Sequence, residues 1–295
     1  MSAHPMDEIP VRNLRFDVMD LGDDELVWSR SCPEFAMFIN ALGVHVPYFE
    51  RFLIAVMRAH RDEIEDQELR GEIQAIIGQE AHHAFNFSKL NQRLAQKYPG
   101  IGKLDAGAKT HFERLLKYKS KKFQIGHTAG YETFTFLAGA IILDRYEELM
   151  ADAHPDLRAL WVWHQVEEVE HGAVAFDFYK VFYGDDEWYR RYMVLHAFLH
   201  IAKETGLAFR EIVKGEQLGW RGKLKAWRYF CSFAWDLFYA SLPVYRRSYH
   251  PRHHPICNEN QNPVAVAWRQ YHAAGKNTVS LKNEDMANLM TGQSL

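Results

Sequence analysis

The sequence predicts an all-α protein, and three observations carry that prediction. Apolar residues recur at helical spacing from about residue 33 to 247. No run of alternating β-branched residues bounded by hairpin turns occurs. Proline and glycine cluster at Pro47, "YPGIG" (98–102), "AHPD" (153–156), "YGDD" (183–186), "KGEQLG" (214–219) and "YHPRHHP" (249–255), leaving long periodic stretches between them.

Pro47 opens a first helix over about 47–62, with Val46, Glu50, Leu53 and Met57 on one stripe. A second, about 66–98, carries Leu69, Ile73, Ile76, Glu80, His83, Phe87, Leu90 and Leu94. The segment "DAGAKTHFERLLKYKSKK" (105–122) reads as a crossover with its own short helix. The third, about 122–150, presents Ile125, Ala129, Glu132, Phe136, Gly139 and Leu143. The fourth, about 155–182, presents Leu157, Leu160, His164, Glu168, His171, Ala175, Phe178 and Phe182. Further helices are expected over about 187–213 and 221–247, with loosely attached tails at 1–30 and 275–295. One domain is expected over 1–295, its core bundle at about 33–183 and a C-terminal helical extension at about 187–274.

Each of the four main stripes contains a carboxylate where a hydrophobic residue belongs. A lone buried carboxylate is costly unless it is paired, protonated or bound to a metal. Glu-x-x-His occurs twice, at Glu80/His83 and Glu168/His171, and each copy follows a helix with one stripe glutamate, Glu50 or Glu132. The order Glu, Glu-x-x-His, Glu, Glu-x-x-His is the ligand order of di-iron and di-manganese ferritin-like bundles. A ferritin-like four-helix bundle is therefore expected, with a long connection between the second and third helices and additional C-terminal helices.

Register agrees with this. Glu50 and Glu80 stand about 14 and 16 residues from the turn near 64, roughly 20–24 Å each at 1.5 Å per residue. The halves also echo one another, since His45 and His127 each lie five residues before the first glutamate of their half. Glu and His three apart share a helix face, so both can reach one ion, and two bridging carboxylates can hold a second.

The candidate metal ligands are thus Glu50, Glu80, His83, Glu132, Glu168 and His171, and the four carboxylates are the candidate catalytic groups. His164, one turn before Glu168, is a further candidate ligand. Arginine and lysine are nearly missing from these faces, which disfavours buried ion pairs. Glu167 and Glu170 leave the stripe and read as solvent-facing or as groups that steady a ligand. His82 points away, and His45 and His127 read as structural. His196, His200 and Glu204 share one face, but no companion motif accompanies them. The aromatic stretch 226–247 reads as a helix packing a broad apolar side; lining an apolar tunnel or resting on a membrane surface are the alternatives.

A net charge of −3 gives no general pull toward nucleic acid or anionic lipid. Three scattered cysteines without a CxxC pair suit a reducing, cytoplasmic setting. Neither a signal-peptide pattern nor an apolar run of spanning length is present. Sixteen histidines direct attention to metal or proton chemistry.

The stretches "GQEAHH", "TAGYETFTF", "LWVWHQVEEVEHGAVAFDFY" and "YHPRHHP", covering roughly 33–260, resemble the bacterial proteins called predicted metal-dependent hydrolases, grouped with the ferritin-like superfamily. The resemblance implies the same six ligands. Relatives of this kind often place a histidine one turn after the first Glu-x-x-His, where this chain has Phe87.

The activity expected from the ligand set is that of a non-haem di-iron oxygenase or oxidase, an oxidoreductase. It would use two Fe ions, or Mn or Fe/Mn, with O₂ and an electron donor. Hydroxylation, desaturation or N-oxygenation of a hydrophobic small molecule would occur in a pocket formed by Phe49, Phe52, Tyr131 and Phe136. The alternatives are a binuclear metal-dependent hydrolase and a non-enzymatic metal-binding protein. A homodimer is expected.

Overall fold

The computed structural model describes residues 4–257 and 261–291. Twelve α-helices follow one another among them: α1 (Pro33–Gly43), α2 (Val46–His60), α3 (Gln67–Lys97), α4 (Pro99–Tyr118), α5 (Lys121–Asp144), α6 (Tyr146–Met150), α7 (Pro155–Glu170), α8 (Val174–Tyr183), α9 (Glu187–Gly215), α10 (Trp220–Ser241), α11 (Pro263–Ala273) and α12 (Asn283–Thr291). The described residues contain no strand, only an isolated antiparallel bridge between Ser29 and Ala153.

Local chemistry sets the helix starts. The Asp66 carboxylate accepts hydrogen bonds from the amides of Glu68 and Leu69, and Ser120 and Asp186 cap α5 and α9 in the same way. Proline opens α1, α4 and α7 at the first turn, where its missing N–H costs nothing.

The helices that carry the six candidate ligands pack as two pairs. α2 lies along α3, α5 lies along α7 and α8, and the pairs meet where α2 touches α5 and α3 touches α8. Gly139 lets α5 approach α7 closely, because a Cβ there would come within 3.0 Å of the Gln165 carbonyl oxygen. α4 packs across α2 and α3 and returns the chain to the start of α5. α9 packs along α5 and α1; at Gly130 a Cβ would lie 2.6 Å from the Met193 carbonyl.

Several expectations change. The crossover is a full helix, α4, because Pro99 starts it directly after α3 and Ile101, Ala108, Phe112 and Leu115 give it a buried face. The third helix ends at Asp144, and the fourth breaks at residues 171–173 into α7 and α8. α1, α11 and α12 are additional elements. The supposed N-terminal tail is an extended strap whose Met6, Phe16, Val18, Leu26 and Trp28 are buried. At the other end, α12 seats Met286 and Leu289 against α11, while residues 292–295 of the predicted tail lie outside the described residues. Extended and short segments show no 3.6-residue repeat, so periodicity misses them.

The aromatic helix α10 buries Ala226, Phe233 and Leu237 and leaves Trp235 and Tyr239 exposed; at Pro243 the chain turns into a short 3₁₀ helix. Among the described residues, no helix is long and apolar enough to cross a membrane.

Candidate metal centre

The four helices bring all six predicted ligands and His164 together in the interior. Glu50 comes from α2, Glu80 and His83 from α3, Glu132 from α5, His164 and Glu168 from α7, and His171 from the turn that ends α7. None is more than 4% exposed. Their ligating atoms fall into two groups, each gathered within 4.8 Å: Glu50, His83, His164 and Glu168, and Glu80, Glu132, Glu168 and His171.

Glu168 belongs to both groups, and Glu80 reaches a histidine of each. Glu168 Oε1 lies 3.0 Å from His164 Nε2 and 3.6 Å from His83 Nδ1, while its Oε2 lies 3.2 Å from His171 Nε2. Glu80 does the same with Oε2 3.4 Å from His83 Nδ1 and Oε1 3.2 Å from His171 Nε2. Glu50 flanks one end, 3.6 Å from His164 Nε2, and Glu132 flanks the other, 3.3 Å from His171 Nε2. Glu80 is grouped with Glu132, Glu168 and His171, and its Oε2 also stands beside His83, its partner in the first Glu-x-x-His.

This interior is short of positive charge. Both carboxylate oxygens of Glu50, Glu80 and Glu132, with His83 Nδ1 and His164 Nε2, are buried without a hydrogen-bond partner. Burial, opposed by His164 and reinforced by Glu80, pushes Glu50 up to about 7. Burial and the neighbouring carboxylates hold Glu132 well above the usual range. Burial also works against Glu168, but His164 and His171 together outweigh it and keep that group well below the usual range. Oxygen and imidazole donors with unsatisfied lone pairs are a donor set for divalent cations such as Mn²⁺, Fe²⁺ or Zn²⁺.

The outward nitrogens of both histidines are held. His83 Nε2 pairs with Glu167 Oε2 at 2.9 Å, and His171 Nδ1 pairs with Gln79 Oε1 at 2.9 Å. Such partners select the tautomer and leave the inward nitrogen free to ligate. Gln79 immediately precedes Glu80 and Glu167 immediately precedes Glu168, so each motif steadies the histidine of the other.

Arg12 of the N-terminal strap closes this network. Its Nη1 donates to Glu167 Oε1 at 2.9 Å and to Glu170 Oε2 at 2.7 Å, and its Nη2 donates to Glu170 Oε1 at 2.8 Å. Gln79 Nε2 also donates to Glu170 Oε2 at 3.1 Å. Glu167 and Glu170 are thus buried rather than solvent-facing, and Glu167 holds a candidate ligand. Buried ion pairs do occur, with the arginine supplied from outside the helices.

His164 reaches the first group from α7, its ring 4.6 Å from those of both Phe87 and His83. It therefore packs against Phe87, one turn after the first Glu-x-x-His. His45 and His127 belong to neither ligand group, and His45 lines the apolar pocket beside the centre. That pocket is also lined by Phe49, Tyr131, Phe134 and Trp161 with His164 and Gln165 at the wall. Phe52 and Phe136, expected in that pocket, pack elsewhere: Phe52 stands edge-on to His127 and Phe136 edge-on to His254.

An all-helical chain with clustered interior carboxylates and imidazoles defines a class of protein suited to metal binding. The chain belongs to the family described as "Predicted metal-dependent hydrolase", whose model matches residues 10–258. Comparisons with curated proteins and with solved structures give no match. The family's description names hydrolysis, and it overturns the oxidoreductase expected from the sequence. The misreading has a physical source. A carboxylate and imidazole donor set specifies cations and not what is done with them.

Proposed function

We propose that this protein is a binuclear metal-dependent hydrolase acting on an apolar ester or amide. We read its frame as ferritin-like, with α2, α3, α5 and α7 as the four bundle helices and α4 as the long return connection. The observation that carries the reading is the pair Glu80 and Glu168, each with one oxygen turned to each ligand group. The family description supplies the reaction class.

Glu50, His83 and His164 would hold one cation, Glu132 and His171 the other, with Glu80 and Glu168 between them. Two such cations lower the pKa of a water and polarise a scissile carbonyl. The chain does the rest. Glu167 and Gln79 keep the His83 and His171 rings from rotating, and Arg12 holds Glu167 in place. Phe49, Phe134 and Trp161 offer an apolar wall that takes the hydrocarbon part of a substrate and excludes bulk water.

Elemental analysis of the purified chain and assays on p-nitrophenyl esters of increasing acyl length test this. The expected result, in anaerobic buffer with Mn²⁺ or Zn²⁺, is turnover that chelation abolishes and metal restores, faster on longer acyl chains. A chain loaded with two ions yet inert toward apolar esters and amides would overturn the hydrolase and leave a metal-binding protein.

A further inference from the structure

A second set of histidines lies on the side of α5 that faces α4 and α9. The sequence places His196, His200 and Glu204 at four-residue intervals on α9 but shows no companion for them. The fold supplies two, His127 from α5 and His111 from α4. The ring centres of His127 and His196 are 5.4 Å apart, those of His127 and His200 6.2 Å, and His111 stacks on His200 at 4.5 Å. Glu204 Oε1 lies 4.0 Å from His200 Nε2.

The fold leaves most of these ring nitrogens unsatisfied. Both nitrogens of His127, a residue with no exposure, are buried without a hydrogen-bond partner, as are Nδ1 of His196 and Nε2 of His111. Buried polar atoms without partners are rare, and here four belong to three rings packed at one corner. His200 alone is oriented, its Nδ1 bonded to the Tyr131 hydroxyl, which leaves Nε2 turned toward Glu204. Burial pushes His200 down to about 4 and His127 well below the usual range, so these rings present lone pairs at neutral pH.

Two imidazoles on one tetrahedral cation have ring centres roughly 5 Å apart, given metal–nitrogen bonds of about 2.0–2.1 Å. The spacings around His127 are near that value. A histidine pair four apart on a helix is a known way to grip a zinc-type ion. The ligating atoms are not gathered within 4.8 Å as those of the carboxylate centre are. The partly exposed rings of His111 and His196 have the freedom to close the set.

We propose that His127, His196 and His200, with His111 or Glu204 as the fourth donor, form a mononuclear site for Zn²⁺ or a similar borderline cation. Imidazole-rich ligation separates it chemically from the carboxylate centre. A bound ion there ties α4, α5 and α9 together. The site shares no residue with the proposed hydrolytic centre, so either can fail without the other.

The test is titration of the metal-stripped full chain with Zn²⁺ and Co²⁺, following stoichiometry, the visible cobalt spectrum and Tm. The variant Glu80→Gln/Glu168→Gln, with the carboxylate centre disabled, is expected to keep one ion per chain, with a tetrahedral cobalt band and a Tm raised by Zn²⁺. Adding His196→Gln and His200→Gln to it is expected to remove all three signals. A separate His127→Phe substitution, which fills the same space without nitrogens, is expected to lose the ion while the metal-free Tm stays the same or rises. The proposal is overturned if the carboxylate-disabled chain takes up no Zn²⁺, or if the histidine substitutions leave uptake unchanged.

Discussion

The buried histidines divide into two populations that differ in their neighbours. Burial lowers the pKa of every one of them, yet His83, His164 and His171 end above the ordinary value because Glu80, Glu167 and Glu168 face them. His45, His127 and His200 meet mainly aromatic rings and other imidazoles and end below it, at about 3 for His45 and about 4 for His200. Depth therefore does not decide protonation here; the identity of the facing group does. In the carboxylate centre arriving cations exchange with protons. In the histidine cluster they meet bare lone pairs.

The comparison breaks most visibly at Glu168, the residue common to both ligand groups. Glu168→Ala is expected to abolish uptake of both centre ions and to cut hydrolysis by more than the roughly 10–100-fold that outer hydrogen-bond partners carry. Elemental analysis and ester turnover check this, and full retention of both ions would remove the shared-carboxylate reading.

Next in size is Arg12→Met. Arg269 remains 3.6 Å from Glu170, so Glu167 is the carboxylate left without its arginine. The expected cost is about 3 kcal/mol of unfolding free energy, measured in urea. Gln79→Leu follows: His171 loses its orienting partner, and metal affinity should fall about 10–100-fold in a chelator competition.

The two populations also predict opposite responses to pH in the metal-free chain. Glu50, raised to about 7, contributes stability that is present below the ordinary carboxylate value and lost as pH rises through 7. The raised imidazoles follow the same sign, full below about 6.5 and lost above their folded values. His127 and His200, being depressed, contribute stability present above about 6.5 and lost as pH falls toward their folded values. Metal-free Glu50→Gln should accordingly exceed the wild type in stability at pH 8, with the gain fading toward pH 4.5. His127→Phe should flatten the loss between pH 6.5 and 5. Thermal melts across that range would show both, and parallel profiles for the two variants would defeat the distinction.

The ligand positions were legible because each sits on a helix stripe, where a charge among Leu, Ile and Phe breaks an otherwise apolar period. The same logic reached His164. It could not reach Gln79, one residue off the stripe and acting across helices, and it left Glu167 between solvent and a ligand-steadying role. Nor could it reach Arg12, whose extended segment has no period to violate. The helix break at 171–173 was hidden because the apolar stripe runs on through Ala175 and Phe178. For the histidine cluster, the α9 half was visible, but its companions lie 69 and 85 or more residues away in the chain and only folding joins them. The proposed reaction class was not legible from the ligands at all and rests on the family's description.

The strap that carries Arg12 has a consequence for how the protein is made. Arg12 is synthesised long before its partner Glu167, 155 positions later, so it must wait for α7 before it can dock. Closing so long a loop is among the slower events available to a folding chain. The strap can therefore close that flank of the interior only once α7 has been made.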